Sequence, residues 1–166
     1  METLTFEEAK ASLHRGDYSA LDPLFAPIAG SPSQIEIWLA EGRFDKQTLD
    51  EALSCACFNG RMSAVLALLA AGGDPSVVEA TGCSAFHWAA DRGQLEVVKL
   101  LIERGTPMEM LNRFGGTVLG FTVWSAAHEP RPHHLEIIER LIKAGAKVER
   151  AQCPSGRADV DALLSR

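Results

Sequence analysis

Apolar residues in this chain fall into short stripes with the spacing of helices rather than of strands. Val65, Leu68 and Leu69 form one such stripe and Val98, Leu101 and Ile102 another, each at the i, i+3, i+4 spacing of one buried helix face. A stripe of small residues precedes each of them: Ala52 and Ala56 before the first, Ala85, Ala89 and Ala90 before the second. Small residues on a helix face let a neighbouring helix approach closely. Gly60 and Gly93 close the small-residue stripes, and Gly72, Gly105 and Gly145 close the larger apolar ones. A left-handed helix cap at such a position needs a residue without a Cβ. Each unit therefore reads as helix, tight turn, helix.

The units are copies of one another. Residues 49–72 superpose on 82–105 at an offset of 33 without a gap, matching Leu53 with Phe86, Gly60 with Gly93, Leu68 with Leu101 and Gly72 with Gly105. A third copy runs from 115 to 145. Its first half keeps the offset, and its second half is displaced by 40, so seven residues are inserted around HEPRPHH (128–134). A single hairpin of this kind cannot bury its own apolar face. Stacked neighbours can, and the repetition predicts a solenoid with a continuous core.

In the second copy the run SAFHWAADRGQLEVVKLLIERG is similar to an ankyrin repeat, with Ser84, Ala85, Phe86 and His87 standing for the family's Thr-Pro-Leu-His. The first copy lacks that tetrapeptide but keeps both glycines. The third has Thr117, Val118, Leu119 and Gly120 there, and lacks the glycine between its helices. The resemblance implies an all-α solenoid of helix-turn-helix repeats. We divide it as a divergent N-terminal repeat (1–45), repeats at 46–78 and 79–111, a repeat with an inter-helix insertion (112–150) and a C-terminal cap (151–166). FEEAKASLHRG (6–16) resembles a first helix and SQIEIWLAEG (33–42) a second, joined by a connection carrying Pro23, Pro27 and Pro32. SGRADVDALLSR (155–166) fits a lone capping helix.

In ankyrin proteins the resemblance implies that partners are gripped by the first helices and the turns projecting between repeats. Carried over by alignment, the turn positions fall on Gln47, Thr48 and Asp50, on Ala80, Thr81 and Cys83, and on Arg113, Phe114 and Gly116. The helix-end positions fall on Phe58 and Asn59, Asp91 and Arg92, and Trp124 and Ser125. The partner-binding candidates are accordingly Phe58, Asn59, Asp91, Arg92, Arg113, Phe114 and Trp124. Phe58, Asp91 and Trp124 are one position repeated at an offset of 33 and should form a row. Aromatics beside an arginine are common hot-spot chemistry. Trp124 has two readings, contact or burial beneath the insertion. Trp88 and Trp38 read as core, and the resemblance implies that His87 bonds turn backbone. The turn TPMEMLNRF (106–114) offers Met108, Met110, Leu111 and Phe114 as adaptable contact surface, or as packing for the repeat.

Charge and chemistry narrow the function further. Net charge is −6, spread unevenly: residues 1–50 hold nine acids and four bases, residues 101–150 six acids and seven bases. No basic stripe suggests nucleic acid, no apolar run is long enough for a bilayer, and the acidic N-terminus lacks the marks of a signal peptide, so a cytoplasmic location is expected. Cys55, Cys57, Cys83 and Cys153 form no CxxC pair and are expected to be small buried or half-buried thiols. His128, His133 and His134 invite a metal reading, but the prolines among them and the absence of partnered ligands argue against one. No phosphate loop, GxSxG or HExxH is present. The expectation is a non-enzymatic module without cofactor or metal, monomeric when free, that binds another protein. Alternatives are a small inhibitor or immunity-like protein that blocks an enzyme or toxin, a structural subunit that dimerises through the same aromatics, and a metal-dependent enzyme or effector using the His-rich insertion.

Overall fold

A computed structural model describes residues 4–166. The repeats emerge as pairs of short helices: α4 (Lys46–Asn59) with α5 (Met62–Ala70), α6 (Ala85–Asp91) with α7 (Leu95–Glu103), and α8 (Val118–His128) with α9 (His134–Lys143). Before them stand α1 (Phe6–Arg15), α2 (Tyr18–Phe25) and α3 (Gln34–Ala40), and after them a 3-10 turn (Val148–Arg150) and α10 (Ala158–Leu164). The helices stack in two layers. In one, α4, α6 and α8 lie side by side; in the other, α3, α5, α7 and α9 do.

The two sequence stripes explain the layers. Ala52, Ala56, Ala85, Ala89, Ala90 and Ala126 are all buried where first helices touch, and small side chains permit the close approach. Leu68, Leu101 and Leu141 of the second helices are fully buried between the layers, together with Phe86 and Leu119. Burial of each such side chain contributes about 1.5–3 kcal/mol. The core is continuous from Phe6 to Leu164, as a stack of units without separate cores requires.

At the N-terminus the chain departs from the simple hairpin. The connection between the expected first and second helices contains a helix of its own, α2, held by buried Tyr18, Leu21 and Phe25 despite Pro23 inside it. Both α1 and α2 pack on α4, while α3 packs on α5. The C-terminal α10 packs on α8 and α9, burying Val160 and Leu164.

Helix ends are chemically specified. Thr5 with Glu8, Ser33 with Glu36 and Ser84 with His87 form reciprocal caps on α1, α3 and α6. His87 also reaches across to the next turn, its Nε2 donating to the Gly116 carbonyl at 3.0 Å while Nδ1 meets Ser84. Burial lowers the pKa of His87, so the ring is held neutral as a structural pin. Trp38 is likewise core, at 6% exposure. Two expectations are corrected here. Gln47, Thr48 and Asp50 do not lie in a projecting turn: Asp45 caps α4 early, and the helix runs straight through them. Thr48 and Asp50 are buried, with the Asp50 carboxylate accepting from the backbone N–H of Asp74 at 2.8 Å. Cys153 is exposed, unlike the other three cysteines, because it sits in the irregular segment before α10.

Candidate interaction surface

The first-helix layer carries a chain of aromatic rings that crosses repeat boundaries. Phe58 comes from the end of α4, Trp88 from α6, and Phe121 and Trp124 from α8. Phe58 meets Trp88 edge-on with centroids 5.4 Å apart, and Trp88 meets Phe121 at 6.3 Å. Tyr18 of α2 closes the chain at its other end, 5.6 Å from Phe58. On α8 the rings of Phe121, Trp124 and His128 form a stacked column, with Trp124 and His128 only 4.6 Å apart. Their spacing of three and four residues puts them on one helix face. Edge-to-face and offset-stacked pairs of this kind add about 0.5–1.5 kcal/mol each beyond burial.

Phe58, Trp88, Phe121 and Trp124 line a groove of about 790 Å³, within the range of ligand-binding clefts. The other walls come from the turn that ends in Phe114 and from the segment around Arg150 and Gln152. Asn112 builds the turn: its buried side-chain oxygen accepts from the backbone N–H groups of Phe114 and Gly116 at 3.0 and 2.9 Å. Phe114 stands out from it at 76% exposure. The remaining apolar residues of this turn divide. Met108 and Met110 pack against the core, whereas Leu111 is 52% exposed.

The seven candidates occupy different chemical situations. Trp124 is 43% exposed and lines the groove, so the insertion does not cover it. Phe58 is half-buried beneath the Arg92 guanidinium, which lies 4.2 Å above the ring centroid. Arg92 is itself partly desolvated; burial lowers its pKa, as does the neighbouring charge of Arg131, against Asp91 and Glu129. Arg113 donates to the Ala80 carbonyl at 3.0 Å, tying one inter-repeat turn to the next. Two candidates are turned inward, which corrects the expectation of an open contact row. Asn59 spends its amide on the Tyr18 and Cys55 carbonyls, closing the ends of α2 and α4. Asp91 is 6% exposed and accepts a short hydrogen bond from Ser125, so it forms a wall rather than an open contact.

Two of the aromatic residues lining the groove, Trp88 and Phe121, are outside the candidate set. Trp88 reads as core in the sequence, yet it is half-buried, with its indole N–H donating to Thr81 at 3.2 Å and part of its ring lining the groove. Phe121 lies three residues before Trp124 on the same helix face, a signal the sequence does contain.

The His-rich insertion is structural where it enters the core. His134 is buried, accepts from the Arg131 backbone N–H at 3.2 Å and donates from Nε2 to the Asp91 carbonyl at 2.7 Å. His133 is exposed, and His128 is stacked on Trp124. Among the described residues no three His, Cys, Asp or Glu groups converge as metal ligands would. The buried thiols are poor nucleophiles, since burial pushes Cys55 and Cys57 far up and Cys83 up to about 12. No helix among the described residues is long and apolar enough to cross a membrane.

The family model for ankyrin repeats (3 copies) matches residues 53–152, the greater part of the chain. The chain belongs to the ankyrin repeat family. Its three repeats are therefore those of a protein–protein interaction module, a fold that generally works without catalysis. A relative, the probable E3 ubiquitin-protein ligase XBOS33 of Oryza sativa subsp. japonica, is 35% identical over 74 residues. That stretch is 45% of this chain and 13% of the rice protein, so the ankyrin chain spans only a small part of its relative's length.

Proposed function

We propose that this ankyrin protein binds its partner in the aromatic groove formed by α4, α6 and α8 and the turn at Phe114. The observation that carries the reading is the continuity of Phe58, Trp88, Phe121 and Trp124 across three first helices, open along one side. Exposed aromatic faces of this extent carry a hydration cost that a partner relieves. Rigid rings lose little rotamer entropy on contact, which is why Trp and Tyr dominate binding hot spots. The same helices are supported from behind by fully buried Phe86, Leu119 and Ala126, so the groove is preformed.

A photo-crosslinking amino acid placed at 114 or at 66 tests the location. Leu66 is 46% exposed, on a second helix in the opposite layer. Partner adducts are expected from position 114 and not from 66, and Trp124→Ala should abolish them while the variant still melts cooperatively. Adducts formed from 66 alone, or undiminished by Trp124→Ala, would move the binding surface elsewhere.

A further inference from the structure

Around this groove the charge differs from that of the rest of the molecule. The chain is acidic overall, and many of its cations are paired: Lys10 with Asp45, Lys46 with Asp50, Arg61 with Asp22, Arg140 with Glu136, Arg157 with Asp159. Arg92, Arg113, Arg131 and Arg150 have no carboxylate within ion-pair distance among the described residues. Arg92 and Arg150 line the groove directly. Arg131 lies close enough for its charge to bear on Arg92, and its Nε is enclosed without an acceptor.

The acids nearby do not cancel this set. Asp91 is buried and engaged by Ser125, which leaves Glu129 as the acid on the groove lining with no ion-pair partner. Arg92 is also preorganised. Its guanidinium carbon lies over the Phe58 ring, 4.2 Å from the centroid, and the group is partly stripped of water. A guanidinium held in this way pairs bidentately with a carboxylate, and a lysine cannot reproduce that geometry.

We propose that the occupant of the groove is an acidic protein segment that inserts an aromatic side chain among Trp88, Phe121 and Trp124 and places a flanking Asp or Glu carboxylate on Arg92. The inference rests on the groove being the binding surface and adds the chemistry of what enters it. The aromatic anchor follows from the ring-lined walls and the volume. The carboxylate follows from four arginines left unpaired at the same place in a protein where, among the described residues, the other lysines and arginines are ion-paired except Arg104 and Lys147.

Three peptides decide the matter by polarisation: DEFED, its neutral counterpart QNFNQ and its basic counterpart KRFRK, each amidated and carrying fluorescein on its N-terminal amine. DEFED is expected to bind about tenfold more tightly than QNFNQ at low salt, and to lose that advantage in high salt as screening grows. Arg92→Gln should remove the advantage, and Arg92→Lys should restore little of it. Trp124→Ala should weaken DEFED and QNFNQ alike. Equal binding of DEFED and QNFNQ, both sensitive to Trp124→Ala, overturns the acidic occupant and leaves the groove standing. Preference for KRFRK overturns it as well. Binding indifferent to Trp124→Ala, or no binding at millimolar peptide, overturns the groove and the occupant together. A concentration-dependent dimer that excludes DEFED would make a second copy the occupant and overturn the proposal.

Discussion

Gly93→Ala is expected to destabilise the protein by about 3 kcal/mol, about 1 kcal/mol more than Gly60→Ala at the equivalent position of the preceding repeat. Both glycines have left-handed backbone, with φ of 74° and 68°, so a methyl group costs about 1–2 kcal/mol at either from backbone conformation alone. What the methyl meets then separates them. At Gly60 it meets the amide end of Gln94, a flexible side chain whose Nε2 donates to the Phe58 carbonyl at 2.9 Å. That side chain swings away for the loss of one hydrogen bond. At Gly93 the new Cβ would stand 2.5 Å from the Pro132 carbonyl oxygen, a backbone atom. The insertion there cannot retreat freely, because the next residue but one, His134, is bonded to the Asp91 carbonyl at 2.7 Å. Either the turn lifts and that bond is lost, or the overlap is borne. Urea denaturation of the two variants beside the unsubstituted protein measures the difference, and equal costs would show that the insertion is not clamped on the preceding repeat.

That clamp was not legible in the sequence, although its parts were. The offset of 33 and the displaced second half locate an insertion at 128–134, since register depends on chain length alone. Whether the insertion bulges into solvent or folds back depends on which histidine turns inward. Three histidines in seven residues give the same compositional signal whatever their orientations. The second-helix stripes were largely legible, because Val98 and Leu101 carry their burial in their spacing, although Ile102 is half-buried and Val97 beside the stripe is buried. Less so was α2. Tyr18, Leu21 and Phe25 have helical spacing, but Pro23 signals a break, and tertiary burial of three large side chains outweighs the cost of the proline.

The groove was half legible for a related reason. Trp124 and Phe58 were found from repeat position, which fixes the face a residue occupies. Trp88 reads as core from its repeat position, since the equivalent residue of the preceding repeat is the fully buried Cys55. An indole in a layer of alanines is too large to be enclosed, so part of the ring emerges into the groove beside Phe58. Asp91 was misjudged in the opposite direction. Repeat position places it on the contact row with Phe58, but Ser125 of the next helix reaches its carboxylate first. A pairwise contact between neighbouring repeats is not visible from positions within one.

From pH 6.5 to pH 8 the Glu79 carboxyl is expected to withdraw on the order of 2 kcal/mol of stability from the protein, a loss that Glu79→Gln should abolish. Glu79 stands in the turn between the first two repeats, with Tyr18 donating to one carboxylate oxygen at 3.0 Å and Ser54 donating to the other through a short bond. Burial pushes its pKa up from 4.5 to about 8; the two donors oppose this, and the nearby charges of Glu51 and Asp50 add to it. A carboxyl whose folded pKa lies above its unfolded one holds a proton in the folded state that the unfolded chain has already released. Its stabilising contribution is complete below 4.5 and is lost as pH rises through about 8. His87 and His134 act with the opposite sign, because burial lowers both below 6.5; they cost stability as pH falls and have no further effect once the unfolded chain is also deprotonated. Between 6.5 and 8 the unfolded histidines still release their last protons, so each returns up to about 0.4 kcal/mol; Glu79→Gln keeps both histidines, and the comparison with it isolates Glu79. Thermal or urea melts at closely spaced pH values would show stability falling in the unsubstituted protein relative to Glu79→Gln, whose amide keeps the shape without the ionisation. A decline of the same size in both would remove Glu79 as its cause. Because Tyr18 packs on Phe58 and Trp88, the carboxyl that holds the Tyr18 hydroxyl also braces one end of the aromatic groove.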